Sequence, residues 1–401
     1  MTVVRTRRIE GPVDLVEHRP PLAWISTERA FVGFGEASRI AAGIGDDRFH
    51  RSQAAFTAWC QSVEVDDDVR LPGTGPLGFA SFTFDARSPG SVLVVPEITI
   101  GRVGGTWFAT TVGDADASPV FHPSGTGDQP VDRPRYAGAS IPDVTWLEAV
   151  AAAVKGIEAG ELDKVVLARD HAVWSKERFD VRRMVRRLVD RFPDCYCYVV
   201  DGLVGASPEL LIRRMDDRVE SVPLAGSARR SDDPVEDEQI GKALLSSDKD
   251  LREHELAAVS VGRVLGQVCE RMFRDPEPVL MELANVRHLA TRFRGRLREP
   301  LTALEAAGLL HPTAAVGGSP TPRAVEVIRR LERMDRGRYA GPVGWVDRHG
   351  DGELAIALRC AEISGARARL FAGAGIVAGS LPESELEETR LKLQAMLQAL
   401  A

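Results

Sequence analysis

Gly73-Thr-Gly-Pro-Leu-Gly78, running into Phe79-Ala-Ser-Phe-Thr-Phe84, has the spacing of a dinucleotide-binding glycine loop without its surroundings. Such a loop follows a strand and opens a helix, so that the helix N-terminus meets the phosphates. Here Pro76 interrupts the loop, and a strand-like run follows where the helix would have to start. The segment therefore predicts a hairpin connection, and the first argument for a doubly wound dinucleotide fold falls away.

Outward from that point, residues 1–112 read as β-rich, with further strand-like runs at Val92–Val95 and Trp107–Thr111 between Gly/Pro clusters. Residues 113–140 turn to Gly, Pro, Asp and Ser, the composition of a surface excursion. From 142 to 159, Trp146, Val150, Val154 and Ile157 recur at helical spacing, and a strand follows at Lys164–Arg169. Further helices are predicted at Val181–Phe192, Lys249–Arg274 and Glu383–Leu400. Many strands and a few long helices, without regular βα alternation, predict an α+β or mixed α/β fold.

Composition narrows the function classes. The chain has 401 residues, 44% hydrophobic and 27% charged, with mean hydropathy −0.12, and can bury a large core without disulfide or metal staples. Fifty-one Lys and Arg against 58 Asp and Glu give a net charge of −7, which repels phosphate backbones and anionic lipid. Nucleic acid and membrane surfaces are thus excluded as first choices, and an anionic substrate would need a local basic pocket. Cys60, Cys195, Cys197, Cys269 and Cys360 lack zinc-site spacing and read as free thiols. No targeting pattern follows Arg5, Arg7 and Arg8, and no apolar run approaches a membrane span, so the expectation is a cytoplasmic protein, by default a monomer.

The chemistry-bearing residues lie beyond Gly160. Asp250 and Glu253 share one helix face, and Glu385, Glu388 and Lys392 share another. Two such faces suit either solvent or an oxygen-only magnesium site. Pro223-Leu-Ala-Gly-Ser227 and Phe371-Ala-Gly-Ala-Gly-Ile376 are either tight turns or glycine segments that bring backbone N–H groups to an anion. By residue type alone, Lys164 and Glu209 belong on the surface.

Taken in order, these pieces form a longer pattern: Lys164-Val-Val-Leu-Ala-Arg169, Ala206-Ser-Pro-Glu209, Pro223-Leu-Ala-Gly-Ser227 and Lys249-Asp-Leu-Arg-Glu253-His254. His311-Pro-Thr-Ala-Ala315-Val-Gly-Gly-Ser-Pro320, Tyr339-Ala-Gly-Pro-Val-Gly344, Ala357-Leu-Arg-Cys360, Gly373-Ala-Gly375 and Glu385-Leu-Glu-Glu-Thr-Arg-Leu-Lys392 complete it. The set resembles the chorismate-utilising enzymes, and among them the isochorismate synthases. The resemblance implies one domain over 1–401, with a variable β-rich part at 1–112, the excursion at 113–140 and the chorismate-binding core at 141–401. It implies a large layered, mostly antiparallel sheet core with helices packed outside.

The same resemblance implies Mg2+ held by Glu253 and Glu388, with Asp250 and Glu385 in an outer shell, bridging to the ring carboxylate of chorismate. Arg359 and Tyr339 would reach the enolpyruvyl carboxylate, while Gly226, Ser227, Gly373, Gly375 and Lys392 would hold the other carboxylate and the metal region. Lys164 matches the family's general base and Glu209 its general acid, which requires the lysine pKa lowered and the glutamate raised by its burial or hydrogen bonds. His288 matches a histidine near the substrate ring, with a structural role equally open; His254 is read as supporting Glu253. Lys164 replaces the glutamine of amine-transferring relatives, so water is the expected nucleophile and no amidotransferase partner is expected. Ala225 replaces the nucleophilic lysine of aminodeoxychorismate synthases. Ala315 replaces the threonine of salicylate synthases, and Leu358 adjoins Arg359 on that wall. The readings kept beside isochorismate synthase are a salicylate synthase, which also eliminates pyruvate, and a noncatalytic chorismate-binding relative.

Overall fold

The computed structural model describes residues 1–17, 20–116, 134–284 and 286–400. Its helices among these residues are α1 (Arg48–Gln61), α2 (Asp143–Glu158), α3 (Val181–Arg191), α4 (Pro234–Ser246), α5 (Asp248–Val268), α6 (Ala303–Leu310), α7 (Thr321–Leu331) and α8 (Pro382–Leu400). The strands form sheets of thirteen, nine and three. Among the described residues every strand pairing is antiparallel except Val3–Arg8 with Glu64–Asp67. Both large sheets contain strands from the first 112 residues beside strands from beyond residue 200.

Two apolar layers hold this arrangement. Between the large sheets lie Trp24 and Phe31 from one and Phe79, Trp345 and Leu354 from the other, with the Phe31 and Trp345 rings edge to face at 4.9 Å. On the outer face of the thirteen-stranded sheet, Met184, Val185 and Leu188 of α3 and Leu393 and Met396 of α8 cover Val199, Ala206, Leu370 and Ala372. α1 and α6 pack at the nine-stranded sheet, where Phe49 stacks on Phe82 at 4.1 Å. Each layer buries large side chains whose alternate neighbours face the opposite side, which fixes the register. Among the described residues no helix is long and apolar enough to cross a membrane.

Several expectations shift. The 73–78 loop is not a hairpin: it carries the chain from Glu64–Asp67 in the thirteen-stranded sheet to Leu77–Ser81 in the nine-stranded one. Gly73 and Gly75 take positive φ there, Thr74 Oγ1 donates to Asp67, and Gly73 N donates to Asp347 Oδ2 at 3.0 Å. The strand stops at Ser81 rather than Phe84, because Phe82 N and Phe84 N turn to the carbonyls of Pro342 and Gly337. The long helix ends at Val268: Cys269 is extended, and Cys269–Arg274 instead pairs with Phe293–Leu297. The strand begun at Lys164 runs on to Trp174. Within 113–140, Arg135–Gly138 is an exposed strand on the edge of that one; residues 117–133 lie outside the described residues.

Candidate active site

Two places where the chain passes from one large sheet to the other create the site. Leu203–Ser207 belongs to the thirteen-stranded sheet and Leu210–Met215 to the nine-stranded one, so Pro208 and Glu209 make the crossing. Gly352–Ile356 and Cys360–Ser364 cross in the other direction through Ala357, Leu358 and Arg359. The crossings lie side by side: Ile356 N donates to Glu209 O, and Ala206 N donates to Arg359 O, each at 3.1 Å. Both charged side chains are consequently buried, Glu209 at 2% exposure.

A cavity opens where the crossings meet α5, α8 and the three-stranded sheet. All ten residues expected to contact substrate line it: Gly226, Ser227, His288, Ala315, Tyr339, Leu358, Arg359, Gly373, Gly375 and Lys392. Glu209 and Glu253 line it too. So do Val166, Leu224, Val316 and Phe371, which sequence reading did not single out. Phe371 stacks on Tyr339 with centroids 5.1 Å apart, a partnership that only the sheet pairing reveals.

Burial sets the state of the polar groups. It pushes the Glu209 carboxyl up to about 8; the Leu224 N–H and the more distant Lys164, Arg359 and Lys392 pull the other way without cancelling it. Glu209 therefore keeps its proton at neutral pH. Burial, with Arg359 and Lys392 nearby, holds His288 well below the usual imidazole range, so His288 is neutral. Arg359 Nη2 lies 2.6 Å from His288 Nε2 and can only donate, which makes Nε2 the acceptor. The proton then sits on Nδ1, which is 3.2 Å from Gly226 O and 3.0 Å from Ser227 Oγ. Among the described residues Arg359 Nε has no hydrogen-bond partner.

Lys164 is fully buried at the head of its strand, with Nζ 3.1 Å from Glu253 Oε1 but not aligned for a hydrogen bond. Gly375, across the sheet from Val166, makes room for this pair: a Cβ there would stand 2.0 Å from Glu253 Oε1 and 3.2 Å from Lys164 Cε. The other edge of the Lys164 strand is closed in an unusual way. Ser319, Gly318 and Gly317 pair with residues 163–166 and Gly138 with Ala172; between them Glu332 accepts from Ala168 N at 2.8 Å, and Arg336 donates to Val166 O at 2.8 Å. The buried Glu332–Arg336 ion pair thus substitutes for a missing strand, and Arg336 also donates to Val316 O at 2.9 Å on the cavity wall.

On the helix side, four carboxylates each have a local partner. Glu253 faces Lys164, Glu388 Oε1 accepts from Lys392 at 2.5 Å, and Glu385 Oε1 accepts from Lys249 at 2.7 Å. Asp250 accepts from Ser247 Oγ at 2.5 Å. Lys392 also donates to Gly373 O at 2.9 Å. Burial and the charges of Glu253 and Glu388 raise the Asp250 carboxyl, and burial and Glu388 raise Glu385. The four acids therefore repel one another, a repulsion that a cation would relieve. Among the described residues no three His, Cys, Asp or Glu groups converge as a ready-made metal cluster. Magnesium does not need one: it takes one or two carboxylates and keeps water, so this all-oxygen donor set fits it. His254 points elsewhere, with Nε2 2.7 Å from Thr291 Oγ1.

Layered antiparallel sheets around such a cavity define a class of enzyme, and the chain belongs to it: the family model described as "chorismate binding enzyme" matches residues 125–401. Isochorismate synthase DhbC of Bacillus subtilis is 43% identical over 256 residues, 61% of this chain and 64% of that protein. The vibriobactin-specific isochorismate synthase of Vibrio cholerae is 40% identical over 99% of this chain and 97% of its own. The solved structure of MenF, the menaquinone-specific isochorismate synthase of Escherichia coli, superposes with a TM-score of 0.82 at 25% identity, covering 99% of this chain and 95% of that one.

Proposed function

We propose that this chain is an isochorismate synthase, an isomerase acting on chorismate, and that it works as a single catalytic unit. The observation that carries the reading is a cavity lined by a buried glutamate that keeps its proton at neutral pH and by Glu253, with the buried Lys164 directly behind Glu253. The activities named for relatives that match nearly the whole chain support it.

In the proposed reaction the oxygen of a water molecule bonds to ring C2 and its proton passes to Lys164. The ring double bonds shift, the C4–O bond breaks, and the departing hydroxyl takes the proton of Glu209 to leave as water. Lys164 suits the first task because its nitrogen is buried with no aligned hydrogen bond to hold its lone pair or protons in another direction. Glu209 suits the second because burial keeps it protonated. Arg359 and Tyr339 bind the enolpyruvyl carboxylate, with neutral His288 fixing the guanidinium. Gly226, Ser227, Gly373, Gly375 and Lys392 serve the ring carboxylate, and Ala315 and Leu358 form the apolar wall. Magnesium on Glu253 and Glu388, backed by Asp250 and Glu385, would supply positive charge beside that ring carboxylate.

The test is incubation of the purified chain with chorismate and magnesium, with products resolved by chromatography. Isochorismate as the sole product is expected. Salicylate with pyruvate would assign the chain to the salicylate synthases, and unchanged chorismate would leave a noncatalytic binding protein.

A further inference from the structure

We propose that Tyr198 is a positioning residue whose buried hydroxyl pins the 357–359 crossing in the strained conformation that presents Arg359 to the cavity. The proposal rests on the reading of Arg359 as the group that binds a substrate carboxylate.

Arg359 has φ +44, in the left-handed region that residues with a Cβ seldom occupy. Such a conformation persists only where the surroundings hold it in place. Two backbone bonds contribute, Leu358 N to Ile356 O at 2.8 Å and Ala206 N to Arg359 O at 3.1 Å. Tyr198 adds a third: its Oη donates to Leu358 O, the carbonyl of the peptide unit that leads into Arg359, at 3.1 Å.

The sequence around Tyr198 is shaped to permit this reach. Tyr198 pairs across the sheet with Gly205, and Gly205 pairs in turn with Cys360, so the phenol must pass over its own neighbour to arrive at the crossing. A Cβ at 205 would stand 2.5 Å from Tyr198 Oη and 2.7 Å from Cζ, and would block the path. Tyr198 is fully buried, and burial pushes its phenol well above the usual range, so the hydroxyl retains the proton it donates. Tyr198 does not line the cavity, so it acts through the crossing rather than on substrate. On the cavity side, the guanidinium meets His288 at 2.6 Å. Tyr198 and His288 thus hold the two ends of the same unit, one at its backbone and one at its side chain.

The experiment measures KM and kcat for chorismate in Tyr198→Phe, with Tyr196→Phe as the control. Tyr196 is on the same strand, and its hydroxyl faces Arg213 instead of the crossing. Tyr198→Phe should raise KM roughly fivefold to tenfold, the scale of one lost hydrogen bond, with kcat within about twofold of wild type. Tyr196→Phe should leave both unchanged. Should Tyr198→Phe fold poorly, Gly205→Ala displaces the ring while keeping the hydroxyl, and should raise KM in the same direction. Wild-type KM in a folded variant of either kind would overturn the proposal. Arg359→Lys separates the two levels of the argument. If it raises KM and Tyr198→Phe does not, the positioning role alone fails; an unchanged KM in Arg359→Lys removes the reading of the site, and the proposal with it.

Discussion

Glu209 and Glu253 line the same cavity, yet the fold treats them in opposite ways. Glu209 sits at a crossing between two sheets, fully enclosed, with a backbone N–H at 3.4 Å and, among the described residues, no ion-pair partner. Glu253 projects from α5 at a rim that retains some solvent, 3.1 Å from Lys164 Nζ. Enclosure without a counter-charge leaves a carboxyl protonated, whereas a partly solvated rim does not impose that cost. One residue type thus supplies a proton donor on one wall and negative charge on the other, and the backbone path alone decides which. Lys164 stands at the boundary between the two regimes, buried like Glu209 and paired with Glu253.

The contrast is broken most severely by removing the proton-transfer groups. Glu209→Gln and Lys164→Ala should each lower kcat by roughly 10²-fold or more, the scale of a lost general acid or base, while titration finds chorismate binding much less affected. On the helix wall, Glu253→Gln and Glu388→Gln should abolish turnover at any practical magnesium concentration, with circular dichroism and thermal unfolding showing an intact fold. Near-normal activity of Glu388→Gln without added magnesium would contradict the metal assignment. One layer further out, Glu385→Gln should raise the magnesium concentration needed for half-maximal rate by about 10-fold to 100-fold, as loss of a group behind a metal ligand does.

The smallest effect lies in stability. Between the ordinary glutamate value of 4.5 and the folded value of about 8, native Glu209 holds a proton that the unfolded chain has released. The native state therefore binds more protons in this window, and Glu209 makes stability fall as pH rises through it. Denaturant unfolding of wild type and Glu209→Gln from pH 5 to 8.5 should show a shallower decline in the variant.

The sequence made some of this arrangement readable and hid the rest for identifiable reasons. The order of motifs pointed to the polar and glycine residues of the cavity, from Glu209 to Lys392, but not to its apolar lining of Val166, Leu224, Val316 and Phe371. Composition hid the burial of Lys164 and Glu209, since both residue types are ordinarily exposed. Nothing in the sequence singles out Glu332 and Arg336, and only the gap on the Lys164 strand shows what they replace. The helix ending at Val268 was overextended because Cys269–Arg274 carries no breaker, and pairing with Phe293–Leu297 overrides its local propensity. The 73–78 loop was recognised as a non-nucleotide turn but assigned to a hairpin, because local residues do not reveal which sheet the next strand will join.

The central claim, that enclosure at the sheet crossing keeps Glu209 protonated, can be tested by infrared difference spectroscopy of wild type against Glu209→Gln across pH. The account predicts a protonated-carboxyl C=O band at pH 7, absent from the variant and lost in wild type with a midpoint near 8. A carboxylate signal for Glu209 already present at pH 6 would contradict it.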